Sequence, residues 1–145
     1  MQSMNDRTCT FESCTKPHLA KGLCSGHWHQ QRRGVPLKPL RPGKGAPMSE
    51  RLLFHVEKRD EHWIWTGTHN QKGYGLIKIR GKNSTTMAHR VSYETFVGPI
   101  PDGKEIDHTC RVRDCIRPEH LEAVTHVVNI RRGIAARKAL RGMHV

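Results

Sequence analysis

The chain has 145 residues, 35% of them hydrophobic and only 6% aromatic, and carries a formal net charge of +12 from 25 Lys and Arg against 13 Asp and Glu. That length suits one ordinary domain or a small one with an appended module, and so lean an apolar fraction makes bound metal a natural substitute for buried area. The charge points to a polyanionic partner, because every neutralised phosphate releases condensed counterions, while the lack of a membrane-length apolar run or a secretory h-region argues against a membrane partner.

In chain order, residues 9 to 27 read CTFESCTKPHLAKGLCSGH. Cys9, Cys14, Cys24 and His27 have the composition of a tetrahedral Cys3His zinc site, with His18 and His29 as competitors for the histidine position. The segment SGHWHQQRRG predicts a short helix ending at Gly34, with Arg32 and Arg33 at its end. Residues 1–34 thus read as an N-terminal zinc-binding module. Residues 35–48, VPLKPLRPGKGAPM, hold four prolines and two glycines and read as a basic linker. Five cysteines, an odd number, argue against a neat disulfide framework and suit metal ligation in a reducing compartment, which means the cytoplasm.

The remaining residues, 49–145, read as a second module. SERLLFHV predicts a helix capped by Ser49, with Leu52, Leu53 and Val56 on its apolar side. HWIWTG and LIKIRG alternate as strands of one hairpin around HNQKGYG, with Lys78 and Arg80 on its basic outer face. TTMAHRVSYETFVG has helical periodicity, burying Ala88, Val91 and Phe96. KEIDH and LEAV predict two short strands, and THVVNIRRGIAARKAL a final helix capped by Thr125. From residue 126 onward there is no acid, and a second acid-free basic stretch runs from Arg32 to Lys44. This segregation predicts a phosphate-facing surface.

Between the last two strands, IDHTCRVRDCIRPEHL places Cys110, Cys115 and His120 at metal-ligand spacing. Zinc there would crosslink the loop and fix how the strand ending at His108 faces the first turn of the last helix, with Asn129. A histidine so placed can take a proton from water. Asp107 and Asn129 offer hard oxygens suited to Mg2+ or Mn2+ beside a phosphate. The zinc then holds geometry while a second metal serves the chemistry.

His108, Cys110, Cys115, His120 and Asn129 resemble the His–Cys box of homing endonucleases, within the HNH or ββα-metal nuclease superfamily. The run WIWTG…KGYG…AHRVSYETFVGPIPDG…DHTCRVRDCIRPEHL…N is similar to small HNH endonucleases common in phage genomes, over most of residues 62 to 132. The N-terminal CTFESC…GLCSGHWHQQRRGVP stretch resembles a zinc-binding segment that some of them carry. The resemblance implies an α+β fold: a ββα-metal core with a short hairpin and helices, stabilised by structural zinc, plus the small N-terminal zinc module. It implies His108 as general base and Asn129 as catalytic metal ligand. Asp107 matches an acid that also binds metal in many HNH enzymes, although other His–Cys box members have no acid there.

The family's knuckle has a fourth zinc ligand, usually a cysteine just before the first strand. His62 stands at that place, so a His62, Cys110, Cys115, His120 site is expected, with His126 or water as the alternatives. A cation set against the scissile phosphate is expected from Lys78 or Arg80, or from Arg90.

The expected cofactors are two structural Zn2+ and one catalytic Mg2+ or Mn2+. The expected partner is double-stranded DNA, contacted by Arg32, Arg33, Lys78, Arg80, Arg90, Arg131, Arg132 and Arg137, with the protein as monomer or homodimer. If the chain is phage-encoded, its compartment is the host cytoplasm. The function that follows is phosphodiester hydrolysis, by nicking or double-strand cleavage. A non-cleaving zinc-dependent DNA-binding protein is the alternative, and an RNA nuclease a third reading, weakened by the few aromatics available for stacking.

Overall fold

The computed structural model describes residues 7 to 143, which divide into two compact units between Gly43 and Lys44. In the first unit, two isolated β-bridges (Thr8 with Pro17, Ala20 with Leu23) precede helix α1, Ser25–Arg32. Its core is Cys9, Leu23 and Cys24, with Phe11, Cys14, Trp28 and Leu40 packed around them. So small an apolar cluster would hold little by burial alone, which leaves the cysteines to supply the crosslink. Part of the proline-rich stretch is fastened to this unit. The Lys38 backbone N–H donates to Gln30 Oε1 at 2.9 Å, and Leu40 sits over Gly26.

The second unit opens with α2, Met48–Phe54, whose N-cap is Pro47 rather than Ser49, and which buries Leu52 completely while Leu53 stays 42% exposed. Strand β1, Val56–Arg59, then turns through Asp60 and Glu61 into β2, His62–Trp65, with Arg59 opposite His62. Asp60 takes φ +51°, the left-handed conformation that a two-residue hairpin loop requires. The third strand, β3 (Leu76–Lys78), pairs with β4 (Thr85–Met87). The expectation that HWIWTG and LIKIRG form one hairpin is therefore corrected. Each pairs with a more polar neighbour, giving three separate two-stranded sheets among the described residues. Helix α3, Ala88–Phe96, buries Ala88, His89, Val91 and Ser92, whereas Phe96 remains 37% exposed against the edge of Trp63.

Strands β5 (Lys104–His108) and β6 (Leu121–Thr125) pair antiparallel from Lys104–Thr125 to His108–Leu121, with a 3₁₀ turn at Pro118–His120 leading into β6. Helix α4, His126–Gly142, follows at once, and Thr125 caps it by accepting from the Val128 N–H. This β5–knuckle–β6–α4 sequence, with ligands gathered in the knuckle, is a ββα-metal core within an α+β unit.

The unit's core is Leu52, Trp65, Ile77, Ala88, Val91 and Ile116. Trp65 is its centre, and Gly67 and Gly75 lie so close that a Cβ on either would come within 2.7 Å and 2.5 Å of the indole. The knuckle is tied to this core by three bonds. Trp65 N–H donates to the Asp114 carbonyl, Ile116 N–H to the Trp63 carbonyl, and Ser92 Oγ–H to the Ile116 carbonyl. Position in the loop is thus fixed from β2 and α3 together.

Candidate active site

The two cysteine clusters assemble first. Ligand atoms of Cys9, Cys14, Cys24 and His27 all lie within 4.8 Å of one another. Cys9 Sγ is 3.2 Å and Cys24 Sγ 3.3 Å from His27 Nδ1, and Cys14 Sγ is 3.9 Å from Cys24 Sγ. A zinc tetrahedron with bonds of about 2.3 Å has edges of roughly 3.8 Å, so these spacings fit the ion, and they are far too long for a disulfide of about 2 Å. The other ring nitrogen, His27 Nε2, donates to the Lys38 carbonyl at 3.1 Å, which leaves the Nδ1 lone pair facing the sulfurs. Burial raises the Cys9 thiol, but backbone N–H groups of Cys24 and Phe11, with His27 and Cys14, outweigh it and bring its pKa down to about 6. A thiolate is the metal-binding form. The two competitors lie elsewhere: His18 Nδ1 meets the Arg7 carbonyl, and His29 is exposed on α1.

His62, Cys110, Cys115 and His120 form the second cluster, again with ligand atoms within 4.8 Å. Cys115 Sγ lies 3.5 Å from His120 Nδ1, and the His62 and His120 rings are 5.0 Å apart. His62 Nδ1 is buried with no hydrogen-bond partner, a costly arrangement for a lone pair unless a metal takes it. The alternative ligand His126 is turned away, its Nδ1 on Glu105 Oε1 at 2.8 Å.

Beside this knuckle, Asp107, His108 and Asn129 line one cavity of about 650 Å³, with Tyr74, Arg111 and Arg113 on one side and the α4 face on the other. His108 Nε2 is 3.0 Å from the Cys115 carbonyl oxygen. A carbonyl only accepts, so Nε2 carries the proton and Nδ1 keeps its lone pair. Burial pushes the His108 pKa below the ordinary imidazole value, outweighing the Cys115 carbonyl and Asp107, so the ring is neutral at neutral pH. His89 packs 4.6 Å from the His108 ring, and Tyr74 lies 5.7 Å and 5.9 Å from the two. The His89 pKa falls to about 3, first through burial and then through His108 and Arg90, so it forms an uncharged wall.

Asp107 is almost fully buried and accepts from Arg111 at 3.1 Å and Arg132 at 3.3 Å. Asn129 Nδ2 donates to Glu105 Oε2 at 2.8 Å. Its carbonyl oxygen is left out of that bond, and Asn129 lines the same cavity as Asp107; both side chains offer hard oxygens of the kind Mg2+ or Mn2+ takes.

Residues 86–131, which include Asp107, His108, Cys110, Cys115, His120 and Asn129, match the family model described as HNH endonuclease. The chain carries an HNH-type domain. A stretch of 59 residues is 44% identical to the gene 5.3 protein of Enterobacteria phage T3, covering 38% of this chain and 58% of that protein. Another of 57 residues is 42% identical to protein 7.7 of Escherichia phage T7, covering 39% of this chain and 42% of that protein. The chain thus spans about half the length of the curated relatives it matches, both of them phage proteins. No solved structure matches it.

Within the HNH-type domain, the cations brought to His108 differ from those the alternation of β3 suggested. Lys78 is exposed on β3, and Arg80 donates to the Lys44 carbonyl; neither lines the cavity. Arg111, Arg113 and Arg137 line it instead. Arg113 lies over the Tyr74 ring at 5.8 Å while its Nη1 donates to the Lys72 carbonyl at 2.8 Å. Arg111 adopts φ +60° in the knuckle, a strained conformation of the kind that collects at functional sites. Their only sequence signal was proximity to Cys110 and Cys115. Arg132 is engaged by Glu122 at 2.7 Å as well as by Asp107, while Arg90 and Arg131 are exposed. In the first unit Arg32 stacks on Trp28 at 5.3 Å, and Arg33 is exposed at the end of α1. Among the described residues no helix is long and apolar enough to cross a membrane.

Proposed function

We propose that this chain is a metal-dependent DNA endonuclease that hydrolyses phosphodiester bonds, with His108 as general base. The observation that carries this reading is the bond from His108 Nε2–H to the Cys115 carbonyl, which leaves Nδ1 as a neutral proton acceptor on a side chain that lines one cavity with Asp107 and Asn129. Nδ1 takes a proton from a water molecule as that water's oxygen bonds to phosphorus; the P–O3′ bond breaks and the 3′ oxygen takes a proton from solvent, giving a 3′-hydroxyl and a 5′-phosphate. Asp107 and the Asn129 carbonyl would hold one Mg2+ or Mn2+, which supplies charge neutralisation at the phosphate and the leaving oxygen. Arg113, braced on Tyr74, offers a guanidinium fork to the phosphate backbone.

The two cysteine–histidine clusters would each hold a structural Zn2+. Zinc held by Cys115 and its partners would fix the carbonyl on which His108 rests, and would so act on the reaction only by holding the base. The net charge of +12 supports a nucleic-acid substrate. A domain assignment of residues 1–34 as zinc module, 35–48 as linker and 49–145 as nuclease is part of the same reading, as is a cytoplasmic site of action.

The test is cleavage of supercoiled plasmid at low salt with Mn2+ or Mg2+, wild type beside His108→Ala. Relaxed or linear product from the wild type alone supports the reading, and the product form separates nicking from double-strand cleavage. Equal product from both proteins removes His108 as the base. Binding of duplex DNA without cleavage of any sequence by the wild type favours the non-cleaving alternative.

A further inference from the structure

Glu105 stands two residues before Asp107 on β5, so both side chains leave the same face of the strand, the face that meets α4. Its two oxygens are both occupied. Oε2 accepts from Asn129 Nδ2 at 2.8 Å and Oε1 meets His126 Nδ1 at 2.8 Å. His126 and Asn129 are three apart on the first turn of α4, so one carboxylate grips the start of that helix at two points.

An asparagine amide presents an oxygen at one end and an NH2 at the other, and only the oxygen can ligate a cation. Nothing intrinsic to Asn129 decides which end faces the cavity. An ionised carboxylate can only accept, so opposite Glu105 the amide has a single favourable orientation, NH2 toward Glu105 and oxygen away from it. A glutamine at 105 would not enforce this, since its own amide can turn over and accept or donate.

We propose that Glu105 is a positioning residue that sets the amide of Asn129 so that its oxygen, rather than its NH2, is offered to a divalent cation beside Asp107. The inference rests on the reading of Asn129 as a metal ligand and adds the residue that makes it one. His126 is the second tether: it holds Glu105 in place from the far oxygen.

The test reads metal binding directly, by isothermal titration of Mn2+ into zinc-loaded full-length protein, in a double-mutant cycle of Glu105→Ala and Asn129→Ala. Partners behind a metal ligand typically matter by ten- to a hundredfold in affinity. Glu105→Ala is expected to weaken Mn2+ binding about tenfold in the wild-type background and to have little further effect once Asn129 is alanine, because it acts through that side chain. Glu105→Gln, which keeps size and hydrogen bonding, is expected to fall between wild type and Glu105→Ala and guards against a variant that fails to fold.

The same tenfold loss in both backgrounds would overturn the proposal, since a negative charge acting at a distance does not need Asn129. Unchanged affinity in Glu105→Ala, with Asn129→Ala weakened, would overturn it while leaving Asn129 a ligand. If Asn129→Ala binds Mn2+ as tightly as wild type, the metal-ligand reading itself fails and the proposal goes with it.

Discussion

Adding a methyl group at Gly75 tests whether Trp65 is the packing centre that carries the site. A Cβ there would stand 2.5 Å from Trp65 Cδ1 and 2.7 Å from Cγ, against ordinary carbon–carbon separations of about 3.5–4.0 Å. The indole must retreat by about 1 Å, and it has nowhere to go. It is 2% exposed, packed in the cluster of Leu52, Ile77 and Ile116, and its Nε1–H is bonded to the Thr68 carbonyl at 3.1 Å. Overpacking of this kind costs about 1–3 kcal/mol. For a unit of this size each kcal/mol moves the melting temperature by about 4–8 °C, so Gly75→Ala should lower it by roughly 10 °C.

The assay is thermal unfolding of the zinc-loaded protein followed by tryptophan near-ultraviolet circular dichroism. Gly73→Ala is the control. Its φ of +83° makes alanine strained by about 1 kcal/mol, yet no atom lies within 4 Å of the added carbon, so the tryptophan signal should keep its native shape. A Gly75→Ala protein that melts within 2 °C of wild type, roughly a quarter to a half of the shift from 1 kcal/mol, would refute the packing argument.

Elemental analysis should find about two zinc ions per chain, and His62→Ala should lower the second site's occupancy under dialysis against chelator while leaving the first. The cleavage rate should rise with pH and level off, with its midpoint below about 6.5, because burial favours neutral His108 and the base is lost only as pH falls through that lowered pKa. A midpoint above the ordinary imidazole value would contradict the buried environment. Arg113→Ala should slow single-turnover cleavage by about ten- to a hundredfold, the worth of a charge-assisted hydrogen bond, while Lys78→Ala should leave it within about twofold. Neutralising Arg131, Arg137 and Lys138 should weaken duplex binding evenly across sequences and reduce the salt slope by roughly 0.9 for each phosphate that no longer meets a cation.

What was legible in the sequence was what is local. Cys110, Cys115 and His120 lie close enough along the chain that spacing alone brings them together, and β5, β6 and α4 follow from alternation, period and the Thr125 cap. His62 is 48 residues from Cys110 and was reached through family likeness rather than spacing, yet it meets the other three. Strand pairing was not legible. Val56–Arg59 is VEKR, a strand whose last three residues are exposed, and Thr85–Met87 has only three residues, so neither shows an apolar period.

The arginines of the cavity were hidden for another reason. Arg111 and Arg113 sit in an irregular loop whose path is set by bonds to β2 and α3, including Ser92 to Ile116. No periodicity reports where such side chains point. Glu105 was missed because its partner, Asn129, is on a helix 24 residues away, and only the angle between β5 and α4 brings the two together.

The measurement that tests the central claim most directly is single-turnover DNA cleavage by His108→Ala with and without added imidazole, alongside its DNA affinity and zinc content. Loss of a general base should lower the rate by about 10²–10⁴-fold, with partial recovery in imidazole and with binding and zinc unchanged. A wild-type cleavage rate in the variant, or a loss of rate that follows loss of zinc and DNA binding, would contradict the account.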